Sequence, residues 1–267
     1  MILTLLTDYG TDDEFVGVCH AVIRSIRPTA PIIDVSHGIA RHDVREAAIV
    51  LRNALPYLPV AVHVAVVDPQ VGTERRAVAV RCGDERVLVG PDNGVLSLAW
   101  QRAGGAVEAV DVSRSPFRLE PVSATFHGRD VFAPVAARIA AGAELLEAGE
   151  PVDVSELRAL ELPTASVEPD LAVGHALLID RYGNVSLNME HAALLRLGLT
   201  IGSRVRVEAG GDLREARVVQ TFADVPEGEL ILYEDAWRSL ALAVNRGDAA
   251  AELGIAVDHE VRITPIR

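Results

Sequence analysis

Residues 60–76, VAVHVAVVDPQVGTERR, set a carboxylate and two guanidinium groups just beyond an apolar run. Asp68 ends the run and is followed by Pro69 and a glycine-containing loop carrying Glu74, Arg75 and Arg76. A basic side chain a few positions along such a loop can fold back on the carboxylate. His127, in TFHGRD, supplies an imidazole further along. Together Asp68, Arg75 and His127 are a set that can handle water. An imidazole oriented by a carboxylate accepts a proton, and an arginine holds the oxyanion that forms.

A second carboxylate group is TDYGTDD, with Asp8, Asp12 and Asp13. Asp8 can accept hydrogen bonds from both hydroxyls of a ribose diol. The same cluster can be read as ligands for a hard metal ion, or Asp12 and Asp13 as caps of the next helix. Capping is the simpler reading for those two, and no metal site is expected. In IDRYGNVSLN, Asp180 and Asn184 flank a tight turn. The same pair can read a ligand amine and an adenine edge, since an amide matches adenine's donor–acceptor pair. Phe222 and Trp237 are aromatics able to stack on a base or to fill a core. His20 and His37 show no partners in the sequence.

The elements that must position these groups follow from hydrophobic pattern. Val60 to Val67 is nearly all valine and alanine, with His63 its one polar member, which suits a strand buried on both faces of a parallel sheet. Ile2–Leu6 and PIIDV read as two more strands. Helices are expected through about Arg27 and over His42–Leu55. Strands alternating with helices imply parallel βαβ units, whose carboxyl ends gather ligand groups and bring Asp8, Asp34 and Asp68 to one sheet edge. AVAVRC and RVLVG read as a hairpin or neighbouring strands, and VFAPVAARIAAG as a helix entered at His127. From about residue 168 the pattern changes to short strands with turns at YGN, AGGD and PEGE, plus one helix near Glu190–Leu197. The expected fold is α/β: a layered, mainly parallel amino-terminal domain over 1–160 and a β-barrel-like domain over 168–267.

Composition narrows the chemistry. The 267 residues carry a formal charge of −13, which disfavours a nucleic-acid partner. All 25 basic residues are arginine, so Schiff-base chemistry and a lysine-dependent phosphate loop are excluded. Two cysteines make neither a disulfide framework nor a zinc site. The amino terminus lacks the pattern of a signal peptide, and no apolar run approaches the roughly 20 residues of a membrane span. A cytoplasmic protein is expected.

TDYGTDDEFVGVCHAVI, VVDPQVGTERRAVAV, GPDNGVLSL, TFHGRD, IDRYGNVSLN and LALAVNRGDAAELG occur here in an order and spacing that resembles one family. It is the S-adenosyl-L-methionine (SAM) hydroxide adenosyltransferases, relatives of fluorinase and chlorinase. The resemblance covers essentially the whole chain. It implies hydrolysis of SAM to adenosine and L-methionine without a cofactor, in a homotrimer whose site lies between subunits. It carries the water-handling roles onto Asp68, Arg75 and His127. It also carries ribose binding onto Asp8, methionine and adenine contacts onto Asp180 and Asn184, and an adenine-facing aromatic onto Phe222.

Two departures stand out. Ala236 occupies a position where the family usually has a SAM-contacting serine. Gly128 replaces a serine of the halogenating relatives, which also lack the trio, so halide chemistry is disfavoured. Two other functions compete. DYGTDD looks like the opening motif of metal-dependent nucleoside hydrolases, although Leu6 stands in place of that motif's first Asp and Tyr9 in place of its Pro. A non-catalytic SAM or adenosine sensor is the other, disfavoured because it has no use for a water-activating set.

Overall fold

The computed structural model describes all 267 residues, and the chain divides into two compact units, Met1–Leu160 and Glu161–Arg267. In the first unit β1 (Leu3–Thr7), α1 (Phe15–Ile26), β2 (Ile32–Ser36), α2 (Val44–Ala54) and β3 (Val62–Val66) come first. They are followed by β4 (Ala77–Cys82), β5 (Val87–Pro91), α3 (Ser97–Arg102), β6 (Ala106–Asp111), α4 (Ala133–Ala140) and β7 (Glu150–Val152). The sheet order is β2-β1-β3-β5-β4-β6-β7. Its β2, β1, β3 and β5 run parallel, while β4, β6 and β7 pair antiparallel.

Every residue of β1 and β3 is buried, and the period of two sends alternate side chains into two apolar layers. Leu3, Leu5, Val62, Val64 and Val66 pack with Cys19 and Ile23 of α1 and Val135 and Ala136 of α4. Leu6 and Ala65 face the other way, against Ala47 and Leu51 of α2 and Ala99 of α3. This is the expected layered α/β arrangement. His63 is tolerated in its apolar run because the register sets it beside Thr4, whose Oγ1 lies 2.9 Å from its Nδ1. Burial drives its pKa down to about 4, with the nearby Arg86 adding to the effect.

Several local expectations are corrected. Neither Asp12 nor Asp13 caps α1: the cap position is Glu14, with no side-chain hydrogen bond. Asp34 is not in a loop at the ligand edge but inside β2. The helix entered at His127 is not uniform. Residues Gly128–Phe132 form a π-helical turn before α4 begins. Pro134 has no N–H to offer Asp130, four residues earlier, and the Asp130 carbonyl accepts from Leu119 N–H at 2.8 Å instead.

In the second unit β8 (Ser166–Glu168), β9 (Leu171–Ile179), β10 (Val185–Glu190), α5 (Ala192–Arg196), β11 (Arg204–Ala209) and β12 (Asp212–Val218) come first. After them come β13 (Leu230–Glu234), β14 (Ser239–Val244), α6 (Ala249–Leu253) and β15 (Glu260–Ile266). Strand order β10-β14-β13-β12-β11-β15-β9 closes through a β9–β10 pairing, so seven strands form a barrel, and β8 flanks β9. Strict alternation in β11 shows why: Val205, Val207 and Ala209 are buried while Arg204, Arg206 and Glu208 are exposed. The unit has two short helices rather than the single one expected. In α6, Asp248 accepts from Ala251 N–H at 2.8 Å, and Gly254 ends the helix in the left-handed conformation.

Candidate active site

Parallel β1 and β3 are adjacent, with Thr7 in register with Val66. The chain therefore leaves both strands on the same side, carrying Asp8 and Asp68 together. Between them opens a cavity of about 300 Å³ lined by Asp8, Asp68, His127 and the aromatic rings of Tyr9, Phe15 and Phe126. Asp13, Arg41 and His42 also reach it.

Arg75 folds back on Asp68 as its loop position suggests. Its Nε donates to both carboxylate oxygens at 3.0 Å, and its second terminal nitrogen donates to Asp68 Oδ2. The same nitrogen lies 3.0 Å from His127 Nδ1. The Arg75 and Asp68 side chains are only 3 % and 5 % exposed, and the guanidinium lies 5.3 Å over the Phe132 ring. A pair so largely withdrawn from solvent, joined by charge-assisted hydrogen bonds, holds its geometry.

The expected orientation of His127 needs correction. The group hydrogen-bonded to it is Arg75, not Asp68. A guanidinium can only donate, so His127 Nδ1 is the acceptor and its ring proton sits on Nε2. Burial and the Arg75 charge hold its pKa below the ordinary 6.5, against opposing effects of Asp68 and Asp130. His127 is therefore a neutral ring at pH 7. Three residues on, Asp130 is a buried carboxylate that accepts from Ser123 N–H at 2.8 Å and from Arg129.

The other predicted residues fall as follows. Asp8 Oδ2 accepts the backbone N–H of His42 at 2.9 Å. Asp34 does not join Asp8 and Asp68 in lining the cavity; it contacts His20 and His37, two histidines for which the sequence suggested no partner. Asp180, Asn184 and Phe222 belong to the second unit. Asp180 Oδ1 accepts from Tyr182 N–H and Asn184 N–H at 2.8 and 3.0 Å, and its Oδ2 accepts from the Asn184 side chain at 2.8 Å. Phe222 is 39 % exposed and packs on Tyr233 with ring centroids 5.2 Å apart.

The aromatic lining was missed as a set. Tyr9, Phe15 and Phe126 form a mutual cluster with centroid separations of 5.0–5.8 Å. The TDYGTDDEF segment contains two of them, but the third is more than a hundred residues away and follows no periodicity. Burial pushes the Tyr9 hydroxyl well above its ordinary pKa of 10.0, with nearby Cys19, Asp8 and Asp68 adding to the rise, so it stays protonated. Gly128 lies against that hydroxyl, and a Cβ at this position would collide with it. A serine in place of Gly128 is incompatible with this Tyr9 position.

The motif resemblance holds across both units. Residues 3–149 match the model of the SAM hydroxide adenosyltransferase N-terminal domain, and residues 174–262 that of the C-terminal domain. The chain is 45 % identical to the (R)-S-adenosyl-L-methionine hydrolase of Salinispora tropica, over 98 % of this chain and 97 % of that one. It is 39 % identical to the enzyme of the same name from Thermus thermophilus, with 97 % of each covered. A fluorinase from Nocardia brasiliensis is 28 % identical, over 98 % of this chain and 96 % of its own. The crystal structure of a conserved protein from Thermotoga maritima superposes with a TM-score of 0.92 at 35 % identity, covering 98 % of this chain and all of that one.

Proposed function

The chain belongs to the SAM hydroxide adenosyltransferase family, and from that premise we propose that it hydrolyses SAM to adenosine and L-methionine. Water attacks C5′, the bond from C5′ to the sulfonium sulfur breaks, and one proton is released. The observation that carries this reading is the hydrogen-bonded series Asp68–Arg75–His127 at the wall of a cavity that also presents Asp8.

The leaving group is a neutral thioether, so no acid is needed, and catalysis must act on the poor nucleophile. Arg75 occupies the one acceptor nitrogen of His127, which leaves Nε2–H as a donor to the attacking oxygen. The acceptor for the water's hydrogens is then Asp68, an anion that Arg75 holds in place. A water gripped in this way keeps a lone pair for C5′, and its proton passes to the carboxylate as the C–O bond forms. In the sequence reading His127 took the proton; here Asp68 does. The aromatic cluster suits the sulfonium, which a ring face attracts. Asp8 takes the ribose hydroxyls.

A neighbouring copy completes the site, with Asp180 and Asn184 at the methionine and adenine groups and Phe222 against the base, in a homotrimer. The exposed face of Phe222 and the family resemblance support this. No helix is long and apolar enough to cross a membrane, and a cytoplasmic location is proposed. Hydrolysis needs no cofactor in this scheme. The nucleoside-hydrolase alternative is weakened because Leu6, at the position of that family's first metal-binding Asp, is fully buried in the core. Halide transfer is disfavoured because Gly128 stands where the halogenating relatives carry a serine, and a side chain there would collide with Tyr9 as placed.

The deciding assay incubates purified chain with SAM, with and without EDTA, and separates the products. Adenosine and methionine in equal amounts, unchanged by EDTA, are expected. Bound SAM without products would identify a sensor. Free adenine formed from adenosine and lost with EDTA would identify a nucleoside hydrolase.

A further inference from the structure

A second group of chemically capable side chains lies outside the cavity lining. His20 sits on α1, Asp34 within β2, and His37 just past the end of that strand. One ligand atom from each lies within 4.8 Å of the others. Asp34 Oδ1 is 2.9 Å from His20 Nε2 and 3.0 Å from His37 Nε2.

The two imidazoles differ in how they meet the carboxylate. His20 Nε2 is in hydrogen-bonding line with it. His37 Nε2 is close but off that line, and this buried atom has no hydrogen-bond partner. The His37 side chain is 7 % exposed, and its Nδ1 is already fixed 2.8 Å from Thr7 Oγ1. A buried ring nitrogen whose one polar neighbour, the Asp34 carboxylate, is close but poorly aligned calls for an explanation. A ligand lone pair aimed beside the carboxylate oxygen, rather than at it, suits an ion shared between them.

We infer that His20, Asp34 and His37 form a binding site for a divalent first-row transition ion of the zinc class. Two imidazole nitrogens and one carboxylate favour such an ion over calcium or magnesium, which take oxygen ligands. Asp34 and His20 are 41 % and 28 % exposed, so water can fill the remaining coordination positions. Thr7 Oγ1 is the outer oxygen that fixes the ring of a ligating histidine. Thr7 Oγ1 also accepts from Tyr9 N–H at 3.2 Å, and Gly10 N–H donates to the His37 carbonyl at 2.8 Å. The ion braces the segment bearing Asp8 and Tyr9 and takes no part in the hydrolysis, so this site stands or falls separately from the reaction proposed above.

The test is binding of the metal alone to the full chain after removal of bound metal by a chelator. Calorimetric titration with Zn²⁺ at neutral pH is expected to show one equivalent per chain and a raised Tm. Co²⁺ is expected to give the visible absorption of mixed nitrogen and oxygen coordination. His20→Ala removes a partly exposed ligand. It should weaken binding by more than the roughly 10–100-fold typical of losing an outer-shell partner. Asp34→Asn, which keeps the shape and removes the charge, should weaken it as well. Both variants should retain SAM turnover measured without added metal. No stoichiometric uptake of Zn²⁺ or Co²⁺ by the unaltered chain would overturn the site, and so would uptake unchanged in His20→Ala.

Discussion

Asp68 and Asp180 each close an apolar strand and each precede a glycine-containing turn, yet the two carboxylates are used in opposite ways. Asp180 accepts from Tyr182 N–H, Asn184 N–H and the Asn184 side chain, all within four residues of itself. Asp68 is bound by Arg75, seven residues on, which in turn reaches His127 another 52 residues away. A carboxylate engaged by its own turn builds that turn. One neutralised by a buried guanidinium is held as a fixed anion at a cavity wall, coupled to a group the local chain cannot supply. The same residue type at the same kind of strand end is thus held by its own turn in one unit and by a buried guanidinium at a cavity wall in the other.

Asp68→Asn tests the contrast hardest. It preserves shape but leaves the Arg75 guanidinium, 3 % exposed, without its counter-charge. Removing one partner of a buried pair typically costs about 3–5 kcal/mol of stability. The loss of a positioned proton acceptor should lower kcat by roughly 10²–10⁴-fold. Chemical denaturation and a product assay on the same preparation separate the two effects. A folded Asp68→Asn protein with the original kcat would show that the cavity-wall anion is not chemical at all.

His127→Ala comes next. The Asp68–Arg75 pair stays intact, so stability changes little, while kcat should fall toward the lower end of that range, about 10²-fold, with KM nearly unchanged. The pH dependence carries a sign. Because burial and then Arg75 hold the His127 pKa below 6.5, the ring is still mostly neutral when the pH reaches that value. Only further acidification protonates it, removing its acceptor lone pair and setting a second cation beside Arg75. The kcat profile should therefore have its His127-dependent acid limb centred below 6.5, and that part of the limb should vanish in His127→Ala. An acid limb centred at or above 6.5 would contradict the Arg75 contact.

What could be read in advance divides along the same line. The valine run of β3 and the alternation of β11 are local patterns with a fixed period, and both units follow from them. Arg75 meeting Asp68 was also legible, since both lie in one short loop. The bond that orients His127 was not. It depends on how the π turn at Gly128–Phe132 presents the ring, and that turn arises from Pro134 together with a carbonyl claimed by Leu119. The pairing of Asp34 with His20 and His37 was hidden for a related reason. Asp34 lies inside β2, His20 on α1 and His37 beyond the strand end, so their meeting depends on how the helix packs on the sheet and not on any spacing in the chain. Tyr9, Phe15 and Phe126 meet across the fold with no spacing to announce them.

Asp180→Ala is the smallest expected effect, and it bears on the other half of the contrast. The substitution removes an acceptor that organises the 180–184 turn. The residue is solvent-exposed, so water replaces much of what is lost and the cost should be about 1 kcal/mol, read from the denaturation midpoint. In the proposed reaction Asp180 contacts the methionine end of SAM and no reacting atom. Its loss should then raise KM while kcat at saturating SAM stays close to the original, the signature of an interaction made equally in ground and transition states. A kcat loss comparable to that of Asp68→Asn would mean that the barrel turn takes part in the chemical step. A purely structural turn predicts the third result, a lowered midpoint with KM and kcat both unmoved, which would withdraw Asp180 from the substrate site while leaving the water-handling trio untouched.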